Sequence, residues 1–167
     1  MIAYFSIFKS QDEKYSGGIL TVNDKGLPEN FKYTTPIKPN KIQKIIYGNN
    51  IKSYLAGEII EKNFQEVFKD TDIIFVNDAD INDYIKDSEK IIYISENYTG
   101  NDEYYKNDEA LIKVMDNKGI KLSYNKEIGK DLYEKIKNFA EIFDITEPFD
   151  RLSEALNHIC SSEEEQN

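Results

Sequence analysis

The sequence predicts one mixed α/β (α+β) domain with two β-hairpins, a central β-α-β unit and two closing C-terminal helices. Three observations carry that prediction. Short apolar runs rich in Ile, Phe and Tyr are punctuated by Gly, Asn and Asp; other isoleucine-rich stretches keep helical spacing. A chain of 167 residues with 40% hydrophobic side chains can bury one substantial core, and is short for two domains.

The first strand is read in Ala3-Tyr4-Phe5-Ser6-Ile7-Phe8. Gly17-Gly18 then precedes Ile19-Leu20-Thr21-Val22, the turn Asn23-Asp24-Lys25-Gly26, and Phe31-Lys32-Tyr33-Thr34. That order has the form of a hairpin, with Gly26 in the left-handed turn position that only glycine takes without strain. Pro36 and Pro39 bracket a stiff linker, after which Ile42, Ile45 and Ile46 predict a helix ended by Tyr47-Gly48-Asn49-Asn50. Asn50 is placed to cap a second helix, in which Leu55, Ile59, Phe64, Val67 and Phe68 form one continuous buried stripe.

The middle of the chain alternates. Ile73-Ile74-Phe75-Val76 and Ile91-Ile92-Tyr93-Ile94 are continuous apolar runs around a short helix at residues 79–86, the pattern of a β-α-β unit with buried strands. Residues 97–108, polar and rich in tyrosine, are expected to form a surface loop. A second hairpin is read in residues 110–124, turning at Asp116-Asn117-Lys118-Gly119. Two helices follow, one carrying Leu132, Ile136, Phe139 and Phe143, the other started by Thr146-Glu147-Pro148 and carrying Phe149, Leu152, Leu156 and Ile159. Residues 1–160 are thus the domain, and the acidic stretch 161–167 is expected to be a disordered tail.

Composition narrows the function classes. With 31 acidic against 21 basic side chains, the net charge is -10, which repels nucleic acid and anionic lipid at long range. Arg151 is the only arginine, so bidentate grips on phosphate are nearly absent. The abundance of Lys, Ile, Asn and Tyr matches an AT-rich genome. One cysteine, Cys160, permits no intrachain disulfide and fits a reducing compartment. The apolar start of the chain is too short for a signal peptide, and no run is long enough to span a bilayer. A cytoplasmic protein that binds neither nucleic acid nor membrane directly is expected.

The sharpest chemical signal is Asp78 with Asp80, delivered at the end of an apolar strand. The pair resembles the Asp-x-Asp of nucleotide-sugar glycosyltransferases, which holds a divalent metal against the leaving diphosphate. The βα units that such enzymes place ahead of the motif are replaced here by a hairpin and helices, and the competing role for Asp78 is to cap the next helix. Asp78, Asp80, Asn82 and Glu89 also fit part of a calcium loop, but Asp83 stands where that loop needs glycine. Acid-x-Lys pairs at Asp116 and Lys118 and at Asp12 and Lys14 lie in predicted turns, not on the strand a metal nuclease uses. His158 and Cys160, two apart on a helix, point to different faces, so His158 suits the helix's negative end better than a Cys-His dyad. Gly17-Gly18 precedes a strand, not a helix, and so is no phosphate cradle. No cofactor is expected.

Tyr98, Tyr104 and Tyr105 sit among Asp102, Glu103, Asp108 and Glu109. Their rings could stack on bases, but acidic neighbours favour a basic protein partner instead.

The run Gly17-Gly18-Ile19-Leu20, Asn23, Gly26, Pro28, Phe31, Thr34, Pro36, Gln43, Tyr47-Gly48 and Tyr54-Leu55 resembles an uncharacterised family of small bacterial proteins. Residues 143–151 with Ala155-Leu156 resemble that family's ending. The resemblance implies a compact bacterial cytosolic domain, attaches no activity to it, carries over no functional residue, and points to a helicase-type ATPase as a partner.

Poverty in catalytic groups, with one His, one Cys and one Arg, makes the leading expectation a non-catalytic accessory subunit. It would dock on a larger, basic or nucleic-acid-handling protein through Tyr98, Tyr104 and Tyr105. The alternative is metal-dependent glycosyl or phosphoryl transfer or hydrolysis at Asp78 and Asp80. A small-molecule sensor, the third class, would first require a pocket.

Overall fold

Alternation along the strands sets out the layers. The computed structural model describes residues 1–85, 89–98, 100, 102–115 and 117–165. In β1 (Ile2–Lys9), Ile2 and Tyr4 enter one core while Ala3, Phe5 and Ile7 enter another on the opposite side, as the two-residue period of a strand requires. β4 (Ile73–Val76) repeats the division, with Ile73 and Phe75 on one side and Ile74 and Val76 on the other. Strands buried on both faces read as unbroken apolar runs because neither face meets water.

The remaining strands are β2 (Tyr15–Val22), β3 (Pro28–Tyr33), β5 (Ile91–Asn97), β6 (Tyr104–Tyr105), β7 (Glu109–Met115) and β8 (Lys118–Ser123). Together the described strands form one eight-stranded sheet, ordered β3-β2-β1-β4-β5-β8-β7-β6. β1, β4 and β5 run parallel; the other pairings are antiparallel. Parallel neighbours need crossovers. β1 reaches β4 through the β2–β3 hairpin and then α1 (Lys41–Tyr47), α2 (Ile51–Asn63) and α3 (Gln65–Asp70), and β4 reaches β5 through α4 (Ala79–Ile85). α2, α3 and α4 cover one face; α5 (Lys130–Ile142) and α6 (Glu147–Glu165) cover the other. Each buried Ile or Phe in these layers contributes roughly 1.5–3 kcal/mol of transfer free energy.

The mixed α+β class stands as the sequence predicts; β4, α4 and β5 form a β-α-β unit and β2–β3 and β7–β8 pair as hairpins, the second with Lys118 and Gly119 inside β8 and not in the turn. Gly26 has φ 74° and its N–H donates to the Asn23 carbonyl at 2.9 Å, so the first turn uses the conformation expected of it. Tyr4 buries its ring against Phe75 and Phe149 and donates its hydroxyl to the Ile145 carbonyl at 2.7 Å. Burial raises the pKa of that hydroxyl well above the usual tyrosine range.

Several boundaries differ, each for a physical reason. β2 begins at Tyr15, so Gly17 and Gly18 lie inside the strand, not before it. A Cβ on Gly17 would come within 2.8 Å of Ile59 Cγ2 in α2, and one on Gly18 within 2.9 Å of Leu156 Cδ2 in α6. The glycine pair therefore lets a helix lie close on each face of β2. The single stripe expected over residues 51–68 is divided between α2 and α3 at Phe64, whose φ of -121° and ψ of 10° are not helical and whose ring is buried. Asn50 is not a separate cap, since a 3₁₀ turn over Gly48–Asn50 runs directly into α2. The expected loop over residues 97–108 holds the end of β5 and all of β6. α6 extends to Glu165, beyond the expected domain end at residue 160. The Asp116 of the second turn, Lys86 at the end of the predicted short helix, and Gln166 and Asn167 of the expected tail lie outside the described residues. Among the described residues, no helix is long and apolar enough to cross a membrane.

Candidate interaction surface

Asp78 sits just past β4, at the start of α4, and both of its oxygens are engaged. Oδ1 accepts the Asp80 N–H at 3.0 Å, and Oδ2 forms an ion pair with Lys52 of α2. Asp80 is exposed, and its carbonyl accepts the Ser53 hydroxyl at 2.9 Å. The two aspartates thus stand at a helix start, tied to α2. The cleft beyond this end of the sheet, about 380 Å³, is lined by Asn77, Ser95, Glu96, Thr146, Phe149 and Asp150, with Ile94, and not by either of them. Glu89 pairs with Lys126 instead of facing Asp78. Among the described residues, no group of three or more His, Cys, Asp or Glu side chains is placed to hold a metal ion. His158 is exposed on α6 while Cys160 is buried.

The three tyrosines do not form one surface. Tyr98 is exposed and bonds through its hydroxyl to Glu96, which that bond, together with Lys118, holds below the usual carboxylate range. Tyr104 and Tyr105 are adjacent in β6 and so face opposite sides of the sheet. Tyr105 packs on the α5 side against Tyr133 at 4.8 Å and bonds to the Ile128 carbonyl. Its ring is part of the core packing. Tyr104 lies under Lys106 on the other side.

The largest concentration of exposed aliphatic side chains is on α1. Ile42, Ile45 and Ile46 are 72%, 68% and 72% exposed, and no residue of the helix is buried. Its inner side is held by polar and aromatic contacts. Asn40 and Gln43 form a reciprocal capping box, with the Gln43 N–H donating to Asn40 Oδ1 at 2.8 Å and the Asn40 N–H donating to Gln43 Oε1 at 2.9 Å. Lys44 pairs with Glu13 at 2.5 Å, and this bond sets the Glu13 carboxyl below its ordinary value. The Tyr47 ring stacks on Tyr54 of α2 at 4.0 Å and 15°. A hydrogen bond with Tyr47, followed by the nearby Glu58 charge, raises the Tyr54 hydroxyl above its ordinary range. Upstream, Ile37 and Tyr15 exchange two backbone hydrogen bonds at 2.7 and 2.8 Å, fixing the approach to the helix. The helix is amphipathic but turned outward, with Lys44 and Tyr47 toward the domain and three isoleucines toward water.

No family model matches the chain, and no curated protein matches it. Among solved structures it is similar to the Argonaute of Marinitoga piezophila in complex with 5′ OH guide RNA, at TM-score 0.35 and 12% identity. That match covers 81% of this chain and 24% of the other. It is also similar to the same protein with guide RNA and target DNA, at TM-score 0.32 and 14% identity, covering 80% and 24%. The chain thus spans about a quarter of the length of either.

Charge sharpens the picture of α1. Residues 30–57 contain Lys32, Lys38, Lys41, Lys44 and Lys52 and neither Asp nor Glu. The other 16 of the 21 basic side chains face all 31 acidic ones, so the rest of the chain carries -15. Sequence reasoning found this helix but missed its exposure. The signals that could have drawn attention to it are the Asn40-x-x-Gln43 capping pattern and the acid-free interval.

Proposed function

We propose that this chain is a non-catalytic interaction subunit of a bacterial cytoplasmic complex and docks on a larger protein through α1. The observation that carries the reading is the outward apolar face of Ile42, Ile45 and Ile46, on a helix anchored by its capping box, ion pair and ring stack. Burying three isoleucines from water would supply roughly 3–6 kcal/mol, before the costs of association. Those side chains occupy i, i+3 and i+4, the spacing with which a helix enters a groove. A single, buried cysteine, Cys160, permits no intrachain disulfide and fits a reducing compartment. Tyr98, exposed at 65%, is a second contact candidate at a different place on the fold.

The test is affinity purification of the full chain from its native cells, wild type beside Ile45→Glu/Ile46→Glu. The expected result is a defined partner retained by the wild type and lost by the variant, with the two proteins melting at the same temperature. Equal retention by both would end the reading.

A further inference from the structure

We infer that the surface receiving α1 is an apolar groove with an acidic rim on a partner protein. The inference rests on the docking reading and adds to it the chemistry of the receiving site. Lys38 and Lys41 precede the exposed isoleucines in sequence; among the described residues neither is within ion-pair distance of a carboxylate, although the Lys38 charge helps to lower the Glu13 carboxyl. Lys41 opens α1, and the first turn of the helix carries no acidic residue. In a chain with 31 acidic side chains, the interval that holds α1 has lysines and neither Asp nor Glu, so the charge complementary to this face is a carboxylate supplied from outside.

The same observations weigh against other occupants. An anionic bilayer is broad and flat, so seating α1 on it brings part of an acidic body, -15 in total outside residues 30–57, toward a surface of like charge. A narrow groove meets the helix and leaves the acidic body outside. Nucleic acid offers phosphates to the lysines but no apolar recess for Ile42, Ile45 and Ile46. The one ring of α1, Tyr47, is already stacked on Tyr54, and the exposed Phe31 and Tyr33 of β3 are stacked on one another. A second copy does offer an acid-rimmed cleft of about 420 Å³, where Asp24, Asp131 and Glu134 surround Ile2 and Phe139. Seating α1 there would bring together two bodies each of net charge -10, which repel one another. A different protein, acidic only along the rim, meets the helix without that repulsion.

The experiment places a photo-cross-linking residue at position 42 of the full chain in its native cells. Three backgrounds are compared: otherwise wild type, Ile45→Asp/Ile46→Asp, and Lys38→Glu/Lys41→Glu, each checked for native folding by circular dichroism. We expect one cross-linked protein, its linked peptide rich in aliphatic residues and Asp or Glu. We expect its yield to fall roughly fivefold or more in both variant backgrounds, and in the wild type as salt is raised before irradiation of a fresh lysate. If the isoleucine variant abolishes the cross-link but the lysine reversal leaves it intact, the acidic rim is refuted and docking through α1 stands. If the isoleucine variant cross-links as well as the wild type, docking through α1 is itself refuted. The purified chain is also tested by flotation with phosphatidylserine-rich vesicles, by anisotropy with a labelled single-stranded oligonucleotide, and by sedimentation. Binding or self-association that disappears with Lys38→Glu/Lys41→Glu in any of these would overturn the proposal in favour of lipid, nucleic acid or a second copy.

Discussion

Helices α1 and α2 adjoin in the chain, separated by the three-residue turn Gly48–Asn50, and both carry isoleucine at helical spacing. They use it in opposite ways. α2 lies on the sheet, with Leu55, Ala56 and Ile59 buried and Ile59 resting where Gly17 leaves room for it. α1 buries nothing, and its inner contacts are an ion pair, a capping box and one ring stack. The difference teaches that helical periodicity identifies an apolar face without saying what covers it. For α2 the cover is this fold; for α1 nothing among the described residues covers it.

The largest expected effect tests that contrast directly. Ile59→Ala removes a side chain only 1% exposed and should cost about 2–5 kcal/mol through lost burial and a cavity. Ile45→Ala, on the exposed face of α1, should change stability by about 0.5 kcal/mol or less. Urea denaturation of the two variants checks both. Comparable losses would mean that α1 belongs to the core after all.

Next in size is Gly17→Val. The added Cβ would lie 2.8 Å from Ile59 Cγ2 and 3.1 Å from Cδ1, so the Ile59 side chain or α2 must shift. Overpacking of this kind costs about 1–3 kcal/mol. The double variant Gly17→Val/Ile59→Ala should recover part of the loss because the clash disappears with the larger side chain. Strict additivity in a denaturation cycle would show that Gly17 serves some other purpose.

These sites also show where the sequence was legible. Gly26, the flanking strands and the β-α-β unit could be read because each depends on local chemistry: a positive φ, an alternating or continuous apolar run, a short polar helix between. Gly17 and Gly18 read from sequence as preceding a strand, and glycine is indeed disfavoured in strand interiors. Their place within β2 depends on the close approach of α2 and α6, which only the tertiary structure supplies. Phe64 likewise fits a helical stripe but takes a non-helical backbone so that its ring can be buried. At the candidate surface, the exposed Tyr98 could be read from its polar setting, whereas Tyr105 and Tyr104 part company by the alternation of a two-residue strand hidden in the expected loop. The outward face of α1 could not be read from periodicity at all, since the same spacing serves burial in α2.

A smaller effect should separate the anchoring of α1 from the stability of the core. Asn40→Ala removes the acceptor for the Gln43 N–H, and loss of such a cap costs about 1 kcal/mol. Because α1 buries no side chain, much of that loss should appear as local opening. Amide exchange should accelerate over residues 41–47 while the slowest amides of β1 and β4 keep their protection. Equal acceleration throughout would show that α1 and the sheet open as one unit.

The mildest change concerns the ion pair beneath α1. The Glu13 carboxyl is held below its ordinary value first by its hydrogen bond with Lys44 and then by the Lys44 charge. A carboxyl depressed in the folded state contributes stability above its unfolded value, near 4.3, and loses it as pH falls through the lower folded value. Acid should therefore loosen α1 by protonating Glu13, while the apolar contacts of Ile59 in α2 have no charge to lose. Lys44→Ala should move the Glu13 midpoint upward toward the ordinary glutamate range. That midpoint can be followed by the carboxyl carbon shift in an NMR titration. Both ends of the pair are substantially exposed, so solvent screening keeps the effect on global stability small. A Glu13 midpoint unchanged by Lys44→Ala would remove the ion pair from the anchoring of α1, leaving the Asn40 cap and the Tyr47–Tyr54 stack to hold the isoleucines outward.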